Sequence, residues 1–303
     1  MKNLILASLL LSTTAFAHED HDWREDYAAY LSVEYQFPLA HKSIKKISSE
    51  KRVDMKFFKE KLIEFASSER RSEEGLDRAR AMLKAEYEKL GFTVSFQTFG
   101  SGINFIAEKT GDKTPGKVLI LSSHIDTVRT AGANDNGTGT IGLLAVAQKL
   151  AKNNYSSTIR VLGFDKEEIG LRGSDAYVAT LNKESIIGNI NFEMMGVNKR
   201  RDGGFHVIDC NKENSLFLSD ALKSSIADLG LPLTVVKACT DRSDHASFWR
   251  KKLPAVVISE NFFGGDADPC YHAKCDVVDE RLNFEYMGNI LEATLEATER
   301  IIK

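Results

Sequence analysis

Apolar positions along the chain follow two patterns in turn. From Val53 they recur at helical spacing, with Phe57, Phe58, Leu62, Ile63 and Phe65 on one stripe, which predicts a helix. A second helix is predicted from about Glu73 to Leu90, where Leu76, Ala79, Met82, Leu83, Tyr87 and Leu90 share a face and Gly91 stands in the C-terminal capping place. Then the pattern changes. FTVSFQTF (92–99) and INFIAEK (103–109) flank Gly100 to Gly102 and predict a β-hairpin. KVLILSSHID (117–126), TIRVLGFD (158–165), INFEMMG (190–196), LTVVKAC (233–239) and PAVVIS (254–259) are apolar, β-branched runs and read as strands. Helical stretches separate most of them: GTGTIGLLAVAQKLAK (137–152), ENSLFLSDALKSSIADLG (213–230) and the stretch from about Asn283 to Ile302. Strands alternating with helices predict an α/β fold, a single domain over residues 52–303 with a mostly parallel central sheet and helices on both faces.

The first residues are patterned differently. MKNLILASLLLSTTAFA has a basic start, an apolar run from Leu4 to Phe16, and small residues at Ala15 and Ala17. That is the layout of a secretory signal peptide cut after Ala17. The run is shorter than the roughly 20 residues a membrane span needs. Residues 18–51 begin HEDHD and hold no sustained period, so they read as a processed leader or a surface arm with a solvated acidic start. The expected address is secreted or periplasmic, with no membrane attachment after signal removal.

Composition adds limits. The 303 residues are 43% hydrophobic and 27% charged, ordinary for a folded soluble chain, and the net charge of -3 offers no broad basic surface for nucleic acid. The four cysteines suit an oxidising compartment. Cys270 and Cys275 are close enough for a local disulfide loop. A pairing of Cys210 with Cys239 stays open at this level.

Ligands of open α/β sheets bind beyond the carboxyl ends of the strands, so chemistry is sought there. The run before Thr127 ends in His124 and Asp126, and the 158–164 run leads into Asp165, Lys166, Glu167 and Glu168. Glu193 ends a third run, His272 follows a fourth, and the loop AGANDNG carries Asp135. Gathered on one crest, these groups would repel or be costly to bury. A divalent cation, or a pair, removes that cost and accepts oxygen and nitrogen ligands. In the H-x-D spacing His124 can bind metal through one ring nitrogen while Asp126 accepts a hydrogen bond from the other. Of the adjacent Glu167 and Glu168, one can ligate while its neighbour handles a proton.

The ordered set SSHIDT, GANDNGTG, KEEIGLRGS, NFEMMG, SDHASFW and CYHAKCD resembles the co-catalytic two-zinc aminopeptidases, including the secreted bacterial leucine aminopeptidases. The resemblance covers roughly residues 53–303. It implies two zinc ions per chain, bridged by Asp135, with His124 and Glu193 completing one site and Glu168 and His272 the other. It makes Glu167 the general base and Tyr271 a donor to the oxyanion, and it implies a non-proline cis peptide between Asp135 and Asn136. Glu193 stands where many members have Asp, and Lys166 replaces a small residue and is expected to face solvent. Ser243 to His245 either shape the substrate side or cap a helix through Ser243 or Asp244. The implied activity is removal of N-terminal residues from peptides with a free N-terminus, by a monomer. A glutaminyl cyclase of the same fold with one zinc is the nearest alternative, and a non-catalytic binding module the alternative from another class. A serine hydrolase is disfavoured by the lack of G-x-S-x-G. A dimeric zinc exopeptidase is disfavoured because a strand, a helix and another strand fill the stretch from Glu193 to His272.

Overall fold

The computed structural model describes residues 53–113, 116–182 and 185–303; the expected signal peptide (1–17) and leader (18–51) lie outside the described residues. Helix α1 (Met55–Phe65) starts where the Asp54 side chain accepts the Lys56 and Phe57 amides, and it buries Phe58, Leu62 and Phe65. Helix α2 (Glu73–Lys89) is capped by Ser72 and carries Glu73 and Glu74 in its first turn, where the helix dipole favours negative charge. The hairpin follows as β1 (Thr93–Phe99) and β2 (Gly102–Lys109). Then come β3 (Val118–His124), α3 (Gly139–Leu150), β4 (Thr158–Phe164), α4 (Arg172–Ala179) and β5 (Ile186–Glu193). The chain continues through β6 (Gly204–Ile208), α5 (Leu216–Leu229), β7 (Thr234–Val236), α6 (His245–Arg250), β8 (Ala255–Glu260) and α7 (Phe284–Ile302).

The strands of the described residues form one eight-stranded sheet in the order β1-β2-β4-β3-β5-β8-β6-β7. The central strands β4, β3, β5 and β8 run parallel; β2 joins β4, and β6 joins β8, in the antiparallel sense. Alternate residues of each central strand feed opposite layers, as the two-residue repeat of a strand requires. Leu119 and Leu121 pack with α1, α3 and α7, whereas Val118 and Ile120 face the layer of Tyr177 on α4 and Phe248 and Trp249 on α6. Burying a side chain such as Leu121 contributes about 1.5–3 kcal/mol. Helix α3 is buried along nearly its whole length, which is why its sequence is apolar all round.

Two strand readings change. GFHVI forms β6, unanticipated because it is short, starts on the second of two glycines and carries a histidine; His206 is nevertheless buried, bonded to the Val236 carbonyl and the Phe263 amide. LTVVKAC is a strand only over Thr234–Val236, and Cys239 beyond it is bonded to Cys210. The stretch from Glu193 to His272 thus holds β6, α5, β7, α6 and β8. Because the central strands are parallel, His124, Phe164, Glu193 and Glu260 end on one rim, with His124 beside Phe164 and Glu193 beside Ser259.

Candidate metal centre

At that rim two imidazoles meet one carboxylate. His124 Nε2 lies 3.2 Å from Asp135 Oδ1 and 3.4 Å from Glu193 Oε1. His272 Nε2 lies 3.2 Å from Asp135 Oδ2 and 3.0 Å from Glu168 Oε2. Asp135 therefore turns one oxygen to each imidazole, and each imidazole has a second carboxylate of its own. Donor atoms of His124, Asp135 and Glu168 fall within 4.8 Å of one another, as do those of His124, Glu167 and Glu193. Ligands about 2.0–2.1 Å from a shared tetrahedral zinc are separated by about 3.3–3.4 Å, so these nitrogen–oxygen spacings suit the ion. Glu168 Oε1 is buried and, among the described residues, accepts no hydrogen bond.

Without a cation the cluster must hold protons instead. Burial opposes charge on His124, but Glu193 and Glu167 lead the carboxylates that raise its pKa well above the usual range. Burial likewise opposes charge on His272, yet hydrogen bonds to Asp135 and Glu168 raise it to about 10. Burial would raise Asp135, but its bonds to the two imidazoles outweigh that and hold it below the usual carboxylate range. Burial, reinforced by Asp135, pushes Glu168 to about 7. Glu167 is raised well above its usual range, chiefly by burial, with the charges of Glu168, Asp244 and Glu193 adding to it and His124 opposing. Groups so perturbed cluster at functional sites.

The supports come from the backbone as much as from side chains. Asp135 sits in the tight turn Ala133–Thr138, and the peptide between Asp135 and Asn136 is cis. His124 Nδ1 has the Asp126 carbonyl at 3.1 Å and the Asp126 carboxylate at 3.5 Å, so the nearer acceptor is main chain. The Asp126 carboxylate instead takes the amides of Glu167 at 3.1 Å and Glu168 at 3.2 Å, fixing the turn that presents both side chains. Glu193 Oε2 accepts from the Ser243 hydroxyl at 2.7 Å, and that hydroxyl accepts from Asn191. This leaves Oε1 of the longer side chain facing His124. Ser243 is thus turned to Glu193, and the first residue flanking α6, Asp244, makes no side-chain cap.

Tyr271 is stacked on His272, ring centroids 3.8 Å apart, and meets Phe262 edge-on at 5.2 Å. Burial, with Asp135 and Glu168 nearby, raises its pKa well above the usual range, so the phenol keeps a proton to donate. Lys166 is half-buried with a left-handed backbone, φ 61°. Asp165 does not join the cluster: it accepts the Ile103 amide at 2.9 Å and faces Arg80, tying the hairpin to β4. Cys270 is bonded to Cys275, which closes a short loop around Tyr271 and His272.

Three supports escaped the sequence reading. Asp276 accepts the amides of Asn134 and Asp135, while Arg70, fully buried, donates to the carbonyls of Ile125, Ala131 and Gly132. Glu260, ending β8, accepts from Asn134 Nδ2 and from the Val197 amide. Each acts on main chain or on an amide side chain, which no motif displays; the nearest signal is the spacing of Asp276 four residues after His272.

The sequence profile of Peptidase family M28 matches residues 104–298. Leupeptin-inactivating enzyme 1 of Streptomyces exfoliatus is 32% identical over 219 residues, which cover 64% of this chain and 48% of that protein. The chain spans about half the length, or less, of the curated relatives it matches. Among solved structures, the LapA aminopeptidase of Legionella pneumophila has a TM-score of 0.74 at 22% identity, covering 88% of this chain and 78% of its own. The glutaminyl cyclase of Bacteroides thetaiotaomicron, bound to N-acetylhistamine, has a TM-score of 0.68 at 17% identity, covering 81% and 97%. These two likenesses describe the fold. The profile match runs from β2 into α7 and takes in every histidine and carboxylate of the cluster; the chain belongs to peptidase family M28.

Proposed function

We propose that the chain is a secreted zinc-dependent aminopeptidase that removes N-terminal residues from peptides, with Glu167 as the general base. The observation that carries this reading is Asp135, one carboxylate shared by two imidazoles that each have a further carboxylate. His124, Asp135 and Glu193 would hold one zinc, and Asp135, Glu168 and His272 a second. Zinc bound there would polarise a carbonyl and make water more acidic.

The remaining steps belong to the chain. Glu167 takes the proton from the attacking water on its carboxylate and returns it to the leaving amine. Its proton-free form is favoured by positive charge in the cluster, as the effect of His124 illustrates. Tyr271 donates its phenol proton to the oxygen that becomes negative. Asp126 orients His124 and the Glu167–Glu168 turn together. A substrate N-terminus seated beside these groups would account for the removal of one residue at a time. The similarity to a leupeptin-inactivating enzyme and to an aminopeptidase supports a peptide substrate. Two disulfides and the apolar leader sequence support an extracytoplasmic address, and no helix among the described residues is long and apolar enough to cross a membrane.

The test pairs metal analysis of the purified chain with a panel of aminoacyl chromogenic substrates, run with and without chelator, and with a peptide beginning in Gln. Two zinc ions and chelator-sensitive release of the first residue are expected. One zinc and cyclisation of the Gln peptide would select the glutaminyl cyclase reading instead.

A further inference from the structure

Asp276 lies four residues beyond His272, just outside the loop that Cys270 and Cys275 close. It is 1% exposed. Its Oδ1 accepts the Asn134 amide at 2.8 Å and its Oδ2 the Asp135 amide at 3.1 Å, while its own carbonyl accepts the Ala133 amide at 3.3 Å. Three successive amides leading into the shared carboxylate therefore end on one residue. The carbonyls just before them are held from elsewhere: Arg70 donates to Ala131 at 2.6 Å and to Gly132 at 2.8 Å. The turn beneath Asp135 is gripped by two carboxyl oxygens at its amides and by a guanidinium at its carbonyls. The same construction serves the other acidic turn, where the Asp126 carboxylate takes the Glu167 and Glu168 amides.

We propose that Asp276 is a positioning residue for the metal centre, fixing the main chain at Asp135 so that one carboxylate oxygen faces each imidazole. The inference rests on the two-zinc reading above and extends it. The segment 270–276 then acts on the centre twice, directly through His272 and through the backbone of Asp135 by way of Asp276. A carboxylate is required because two amide donors need two acceptor oxygens. An asparagine offers one oxygen and sets an N–H against the second amide. Partners that orient metal ligands typically change metal affinity 10- to 100-fold when removed.

Zinc-free wild type, Asp276→Asn and Asp276→Glu, each with both disulfides intact, are titrated with zinc against a chromophoric chelator and melted without zinc. Asp276→Asn is expected to bind zinc about 10- to 100-fold more weakly and to melt at a lower temperature without zinc, because one buried amide loses its acceptor. Asp276→Glu, with two acceptor oxygens, is expected to recover part of the affinity. A folded Asp276→Asn with wild-type zinc affinity overturns the proposal, whether or not its melting temperature falls. Hydrogen exchange in zinc-free wild type reads the same contact without a variant: the Asn134 and Asp135 amides are expected to be protected, and exchange at the rate of an open loop overturns the proposal. A wild-type chain that takes up no zinc removes the metal reading and this inference with it. Two zincs on wild type with no change in Asp276→Asn removes the inference alone.

Discussion

Glu167 and Glu168 are neighbours in sequence with different surroundings, and the difference assigns them different experiments. Glu168 approaches His272 at 3.0 Å, whereas Glu167 has no imidazole assigned to it alone and lies beside Glu193 and Asp244. Replacing Glu167 with Gln keeps size and removes the proton acceptor, so turnover should fall about 10²- to 10⁴-fold with zinc content unchanged. Metal analysis and initial rates on the same preparation check this, and wild-type turnover would exclude Glu167 as the base. Glu168→Gln should instead lose zinc from the His272 side, seen as a lower metal content before any rate is measured. At this scale, the residues whose side chains gather at the rim were legible, because strand ends and motif spacing mark them. Asp165 shows the limit of that signal: it sits in the same acidic run, yet an amide of the hairpin claims it. Asp276, Arg70 and Glu260 were illegible for a related reason. They hold backbone or amide groups, and sequence does not say which amide will lack a partner.

The two disulfides separate stability from metal binding at the scale of elements. Cys210–Cys239 spans 29 residues and ties the end of β6 to the chain beyond β7; Cys270–Cys275 spans five and encloses His272. Loop-closure entropy then gives about 3.5 kcal/mol for the long bridge and about 2 kcal/mol for the short one. Cys210→Ser with Cys239→Ser should therefore lower the melting temperature more. Cys270→Ser with Cys275→Ser should lower zinc affinity more, since His272 holds a left-handed backbone, φ 56°, inside the loop it would release. Chelator competition and thermal melts on both variants give the two rankings. The same order in both measurements would show that the short loop does not act on the centre. Strand β6 is the element the sequence hid, because its five residues carry a histidine whose bonds to Val236 and Phe263 appear only after β7 and β8 are in place.

The α/β class and the mostly parallel sheet follow from alternating helical and β-branched runs, but strand order does not, since it depends on which apolar faces meet in space. The finished rim collects groups whose proton affinities shift together, and this sets the behaviour of the whole molecule towards pH. In zinc-free protein His272 moves from 6.5 to about 10, so the folded state keeps a proton that the unfolded chain has released. Its contribution is complete below pH 6.5 and is lost as pH rises through about 10. Glu168 moves from 4.5 to about 7, and Asp276 and Asp244 from 3.8 to about 7, all chiefly by burial. For these raised acids too the folded state binds more protons, so stability declines from the ordinary carboxylate range up to about pH 7. Asp135 is shifted the other way, but its contribution is already complete above its ordinary range and stays constant across this interval. Buried His206 and His245, lowered from 6.5 to about 4, oppose this trend only below about pH 6.5, so above that the zinc-free melting temperature should fall towards alkaline pH. Zinc binding has the opposite slope, because its ligands must be free of protons and binding to the folded state alone stabilises it. The gap between zinc-loaded and zinc-free melting temperatures should widen steadily as pH rises from about 6 to about 9. Paired thermal melts across that range decide it, and a zinc-free curve that is flat or rising would mean that the clustered histidines and carboxylates do not share protons as their spacing requires.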